Sequence, residues 1–260
     1  MTRMYAPAKL TLSLAVTGVR PDGYHELRAE MVALSLADEL IITEGGHGVT
    51  VAAEPWIRAE ALDVDGDNLI TRALASVGRT AAVEVTKHIP LGGGLGGGSS
   101  DAAAVLRWAG SHDVGTALSL GSDVPFSLAG GRALVEGVGE KITPLPYEFR
   151  EVVLLIPPFG VDTAKVYAAW DARRSRAELE QGPNELTESA LEVEPRLATW
   201  RDVLADLTGV EPVLAGSGST WFVDALATQA QIEDSGWLTA GADQARIMKA
   251  HTVPEGWNGS

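Results

Sequence analysis

At 260 residues with 45% hydrophobic side chains, the chain is long enough for a substantial core and too apolar for disorder. A formal charge of −15 argues against nucleic acid as a partner, so a polyanionic substrate must meet local lysines, backbone N–H groups or Mg²⁺. The lack of cysteine excludes disulfides and thiol catalysis, no apolar run reaches the ~18 residues of a membrane span, and Met1-Thr-Arg-Met-Tyr5 lacks a signal-peptide core, so a cytoplasmic setting is expected.

The first predicted element is a strand, because Leu10, Leu12, Leu14 and Val16 alternate with Lys9, Thr11, Ser13 and Ala15. Lys9 and Thr11 then share one polar face, where a lysine is ordinarily a solvated charge. Arg20-Pro-Asp-Gly23 reads as a turn: Pro21 fixes φ, and Asp22 and Gly23 suit the positions after it. It delivers Tyr24 and His25 to the head of the next strand, either as ordinary surface or core residues or as a flat platform for a base. Next, Asn68 precedes Leu69, Ile70, Ala73, Leu74 and Val77, the apolar stripe of a helix that Asn68 would cap. Ala81-Ala-Val-Glu-Val-Thr-Lys87 alternates like a half-buried strand.

The run from Pro90 and Leu91 to Ser99 and Ser100 is the most informative stretch. Gly92, Gly93, Gly94, Gly96, Gly97 and Gly98, interrupted only by Leu95, can adopt positive φ and turn N–H groups inward. A helix beginning near Ser99 adds the positive end of its dipole, which completes a cradle for phosphate. A flexible linker fits poorly between a strand and a helix. The pattern G-x-G-x-x-G is present at Gly92, Gly94 and Gly97, but any glycine-dense run contains it, and a Walker loop would need a Gly-Lys-Ser/Thr that is absent. Ser99 or Ser100 could help hold Mg²⁺. Asp101 would repel phosphate unless turned onto the helix terminus as a cap.

In Leu120-Gly-Ser-Asp123-Val-Pro-Phe126, Pro125 biases Val124 toward extended backbone. Asp123 is then expected where a helix or turn gives way to a loop, as a capping residue or a reactive carboxylate. Glu151-Val-Val-Leu-Leu-Ile156 reads as a buried strand stopped by Pro157 and Pro158, and a short helix over 161–170 follows, carrying Thr163 and Tyr167. Ala215-Gly-Ser-Gly-Ser-Thr220 is a second glycine turn, with Gly218 at its centre. No histidine spacing suits a metal site.

Three of these blocks together resemble the GHMP kinases. Pro90, Gly94, Leu95, Gly96, Ser99 and Ser100 supply the elements of that superfamily's nucleotide loop. Ala6-Pro-Ala-Lys-Leu-Thr-Leu-Ser-Leu14 and Leu120-Gly-Ser-Asp-Val-Pro-Phe126 flank it as the family's other blocks do, and the 215–220 turn resembles its third motif. Arg20-Pro-Asp-Gly-Tyr-His25 is the most specific part, narrowing the likeness to kinases of a cytidine-diphosphate alcohol. The resemblance implies a two-lobed α+β fold, with a ribosomal-protein-S5-like lobe over 1–146 and a ferredoxin-like lobe over 147–260. It implies ATP as a substrate with Mg²⁺, a small-molecule acceptor, and a monomer or weak homodimer.

By that resemblance Lys9 and Asp123 are the catalytic pair. ATP would be held by Asn68 and Lys87 near adenine and by the residues of the loop from Pro90 to Ser100. Thr11, Tyr24, His25, Thr163, Tyr167 and Gly218 would bind the acceptor, with Tyr24 and Tyr167 sandwiching cytosine. Thr11 departs from the family's usual Asn, keeping a hydroxyl but losing the amide fork. The segment between Trp108 and Leu120 is also several residues shorter. The competing readings are a GHMP kinase of a simple alcohol, a non-catalytic nucleotide sensor and a NAD-binding protein.

Overall fold

Two long antiparallel strands, β1 (Thr2–Val19) and β2 (His25–Glu44), begin the chain in a computed structural model that describes residues 1–57, 68–177 and 182–259. They are joined by the predicted turn, in which the Gly23 N–H donates to the Arg20 carbonyl at 2.9 Å. Around them β3 (Val49–Ala53), β4 (Ala81–Lys87), β5 (Arg132–Gly137) and β6 (Lys141–Pro144) complete a sheet of order β3-β4-β2-β5-β6, with β1 paired along β2. Only β3 and β4 run parallel within it. The connection between them includes α1 (Leu69–Ser76), as a parallel pair requires.

The helices α2 (Gly97–Trp108), α3 (Val114–Leu120) and α4 (Val124–Ala129) share a core with this sheet. Leu40, Ile42, Val83 and Val85 meet Ile70, Ala73 and Leu74 of α1, the stripe read from the sequence. The fully buried Ala102, Ala103 and Ala104 present little bulk, which lets α2 lie close to β1.

A second, wholly antiparallel sheet has the order β10-β11-β7-β9-β8, from β7 (Glu151–Ile156), β8 (Val213–Leu214), β9 (Trp221–Asp224), β10 (Ser235–Ala240) and β11 (Asp243–His251). Strand β7 explains its unbroken apolar run. Val153 and Leu155 pack with α5 (Thr163–Ser175), α6 (Thr187–Val193) and α7 (Arg196–Thr208), around the buried Trp170 and Trp200. Val152, Leu154 and Ile156 point the other way, onto Leu10, Val32 and Leu34 of the first sheet. A strand buried on both faces has no use for alternation.

Two expectations change here. The helix after Gly160 runs to Ser175, five residues past the predicted end. The polar face of β1 is not solvated: register shifts between Pro7 and Lys9 and between Thr11 and Ser13 break the alternation. Ala8, Lys9 (6% exposed), Leu10 and Thr11 (1%) are buried in succession, so both faces of the strand are covered there, while Ser13 faces out. Among the described residues no helix is long and apolar enough to cross a membrane.

Candidate active site

The glycine run emerges from β4 and ends in α2, which starts at Gly97, two residues earlier than the sequence suggested. Gly96 is its N-cap, in the left-handed region at φ +70°, and its carbonyl accepts the Ser100 N–H at 2.9 Å. No side chain caps this end, so the first-turn N–H groups keep their capacity for an anion. Gly96 is required twice over: beyond the positive φ, a Cβ there would lie 2.7 Å from Lys9 Cγ. The loop is pinned to β1 by the Lys9 N–H on the Leu95 carbonyl at 2.9 Å. It is pinned to the 215–220 turn by the Thr220 N–H on the Gly93 carbonyl at 3.2 Å. There Gly218 lies directly against the Gly94 backbone, leaving no room for a Cβ on either residue.

Lys9 Nζ stands 3.5 Å from Asp123 Oδ2 and 3.3 Å from Thr11 Oγ1. Two groups 114 positions apart in sequence thus converge beside the glycine loop. Asp123 sits where a turn gives way to a helix, not a helix to a loop. It is the N-cap of α4, Val124 is helical, and Pro125 occupies the first turn, where its missing N–H costs nothing. The Ser99 hydroxyl faces the same turn, since a Cβ on Gly121 would lie 3.9 Å from Ser99 Oγ. Ser100 is turned away: its hydroxyl donates to the Pro7 carbonyl at 2.6 Å, tying α2 to β1, which removes it as a metal-holding candidate.

An aromatic platform borders this pair. The His25 ring lies over Tyr167, tilted by 31° with centroids 4.6 Å apart, and meets Trp170 edge-on at 5.6 Å. His25 Nε2 is 3.0 Å from Asp171 Oδ1, which fixes the ring's orientation. Burial, and then the negative charge of Asp123, push the Tyr167 hydroxyl above its ordinary value. Tyr24 is 65% exposed and stacks on no other ring among the described residues; the ring brought to Tyr167 is that of His25. Thr163 opens α5, and its hydroxyl lies 3.1 Å from that of Ser217, beside Gly218.

Asn68 caps α1 as read, accepting the Thr71 N–H at 3.0 Å. Asp101 is placed differently from expectation. Asp101 is no helix cap: it lies in the second turn of α2, faces inward, and its Oδ2 takes the Lys87 ammonium at 2.6 Å. Lys87, 3% exposed, also binds Asp38, whose other oxygen accepts the backbone N–H groups of His88 and Ile89. Burial favours this arrangement because a lone charge there would be costly. The sequence reading missed Asp38. The signal was its parity, since Leu34, Leu36, Asp38, Leu40 and Ile42 alternate onto one face of β2. Asn68, Lys87 and Asp101 border a cavity of about 210 Å³ whose other walls include Val49, Val51, Val85 and Leu69. Among the described residues no cluster of three or more His, Cys, Asp or Glu could hold a metal ion.

Residues 68–131 match the family of GHMP kinases N terminal domains. The chain is 36% identical to the 4-diphosphocytidyl-2-C-methyl-D-erythritol kinase of Paracoccus denitrificans, over 94% of this chain and 97% of that one. It is 33% identical to the enzyme of that name from Carboxydothermus hydrogenoformans, over 84% and 86%. A crystal structure of 4-(cytidine 5'-diphospho)-2C-methyl-D-erythritol kinase, 33% identical, superposes with a TM-score of 0.64 over 85% of this chain and 89% of the other.

Proposed function

We propose, because this chain belongs to the family of 4-diphosphocytidyl-2-C-methyl-D-erythritol kinases within the GHMP superfamily, that it phosphorylates the 2-hydroxyl of 4-diphosphocytidyl-2-C-methyl-D-erythritol with ATP, in the non-mevalonate route to isoprenoids. The observation that carries this reading is the Lys9–Asp123 pair at 3.5 Å, beside an uncapped helix N-terminus and its glycine loop. With the acceptor hydroxyl against Asp123, the carboxylate takes its proton as the oxygen attacks the γ-phosphorus and ADP departs. Lys9 stabilises the oxygen as it gains charge, and Thr11 helps hold the ammonium in place. The N–H groups of residues 97–99 and the α2 dipole hold the phosphates. Phosphoryl transfer proceeds through a loose transition state, so this positioning supplies most of the acceleration.

Mg²⁺ fits a site with few protein donors, because it keeps several waters and binds largely through substrate phosphates. Ser99 would hold it, and when bound it would neutralise charge on the triphosphate. His25 and Tyr167 offer cytosine a flat face and a ring nitrogen, and Thr163 and Gly218 line the approach to the diphosphate. Tyr24 covers the base from the solvent side. Residues 1–146 act as the nucleotide lobe and 147–260 as the second lobe of a cytoplasmic enzyme, monomeric or weakly dimeric.

The test is turnover of ATP with Mg²⁺ and a panel of alcohols with and without a cytidine group. ADP is expected only with the cytidine-diphosphate acceptor. Asp123→Asn should lower kcat by on the order of a hundredfold or more while nucleotide binding, followed by calorimetry, is retained. Near-normal turnover of that variant would refute the assignment.

A further inference from the structure

Helix α4 carries Asp123 at its head and is six residues long, less than two turns. A helix so short does not hold itself, and what it touches fixes its place. One side of it borders a cavity of about 290 Å³, lined by Pro125, Phe126 and Leu128 together with Ile142 and Trp257, which leaves the helix room to shift. At its far end the carbonyl of Ser127, in the last turn, accepts an N–H of Arg107 Nη1 at 2.6 Å. The same guanidinium donates through Nη2 to the Tyr5 carbonyl of β1 at 2.9 Å. Arg107 itself stands in the last turn of α2, and burial alone lowers its pKa, to about 10. A largely buried cation spent on main-chain carbonyls is a costly choice. What it provides is a pair of nitrogens held in one plane at a fixed separation, which no other side chain offers as a cation. Ser100 adds a lighter tie among the same elements, its hydroxyl on the Pro7 carbonyl and 3.3 Å from the Ser127 hydroxyl.

We infer that Arg107 is a positioning residue for the transfer step, its rigid fork setting the spacing between the strand that carries Lys9 and the helix that carries Asp123. The two anchor points are matched: Tyr5 lies four residues before Lys9, and Ser127 four residues after Asp123. Through them one guanidinium holds the ammonium and the carboxylate 3.5 Å apart. Arg107 touches neither phosphate nor acceptor. It lies ten residues along α2 from Gly97, roughly 15 Å from the helix end that faces the phosphates. The inference rests on the proposal that Lys9 and Asp123 carry out the transfer, and adds the residue that fixes their distance.

Two variants test it. Arg107→Lys keeps the charge and the stem but reaches one carbonyl at a time, and Arg107→Met removes the donors altogether. Each is assayed with ATP, Mg²⁺ and the cytidine-diphosphate acceptor at a temperature where circular dichroism shows it folded. In Arg107→Lys kcat should fall about tenfold or more, and further in Arg107→Met, while KM for both substrates stays within about twofold. A merely structural role would lower the melting temperature and leave kcat of the folded protein unchanged; that result, or a loss confined to KM, would overturn the inference. Should Arg107→Met not fold, Arg107→Lys decides by the same criteria. In an Asp123→Asn background, Arg107→Lys should cost less than about threefold more in kcat, because the group whose place it fixes no longer reacts. A second full loss multiplying the first would overturn the inference too. Absence of turnover in the unaltered protein would instead defeat the kinase reading on which it stands.

Discussion

Buried beside one ammonium and a second carboxylate, Asp101 titrates well above an ordinary aspartate: burial pushes its carboxyl up to about 7 against the opposing pull of Lys87. In an unfolded chain the same group titrates near 4. Between those values the folded protein keeps a proton that the unfolded chain has lost, so this residue's contribution to stability declines as pH rises from about 4 to about 7. Asp101→Asn removes that slope. The difference in unfolding free energy between wild type and variant should therefore fall across this window in urea titrations, and a flat difference would mean that Lys87 holds the carboxylate ionised throughout. Lys87 was legible as a site residue only through family resemblance. Its partner Asp38 lies 49 positions away on a different strand, a pairing that no local pattern encodes.

At the scale of elements, what the chain writes locally it also builds locally. The 20–23 turn, the α1 stripe, β4 and both glycine turns depend on neighbouring residues and emerge close to where composition and spacing put them. The misreadings arise where distant packing intervenes. Register shifts along β1 are set by its pairing with β2, and Asp123 becomes a helix cap because α4 packs against α2. The contact of Gly218 with Gly94 makes a sharp prediction of the same kind. Gly218→Ala forces the two turns apart and should cost about 1–3 kcal/mol of stability, together with a rise in the KM for ATP. Gly182→Ala, which meets nothing within 4 Å among the described residues, is the control. If the two variants behave alike in thermal denaturation and kinetics, the contact does not organise the nucleotide loop.

Over the whole molecule, the two sheets are joined by the layer of Leu10, Val32, Leu34, Val152, Leu154 and Ile156. Leu34 is fully buried in that layer, and Leu34→Ala should cost about 2–5 kcal/mol. Trp170, Trp200 and Trp221 pack in the core beside the second sheet, whereas Trp108 packs against the first, so tryptophan emission reports on both halves. Emission and far-ultraviolet circular dichroism should still lose signal at one common urea concentration in this variant; separated midpoints would show that the halves melt independently. The seam where Gly94 meets Gly218 is main chain on both sides. Any single-codon change at either glycine adds at least a methyl group to a joint that has no space for one, so drift in sequence at these two positions is barred by geometry before chemistry is reached.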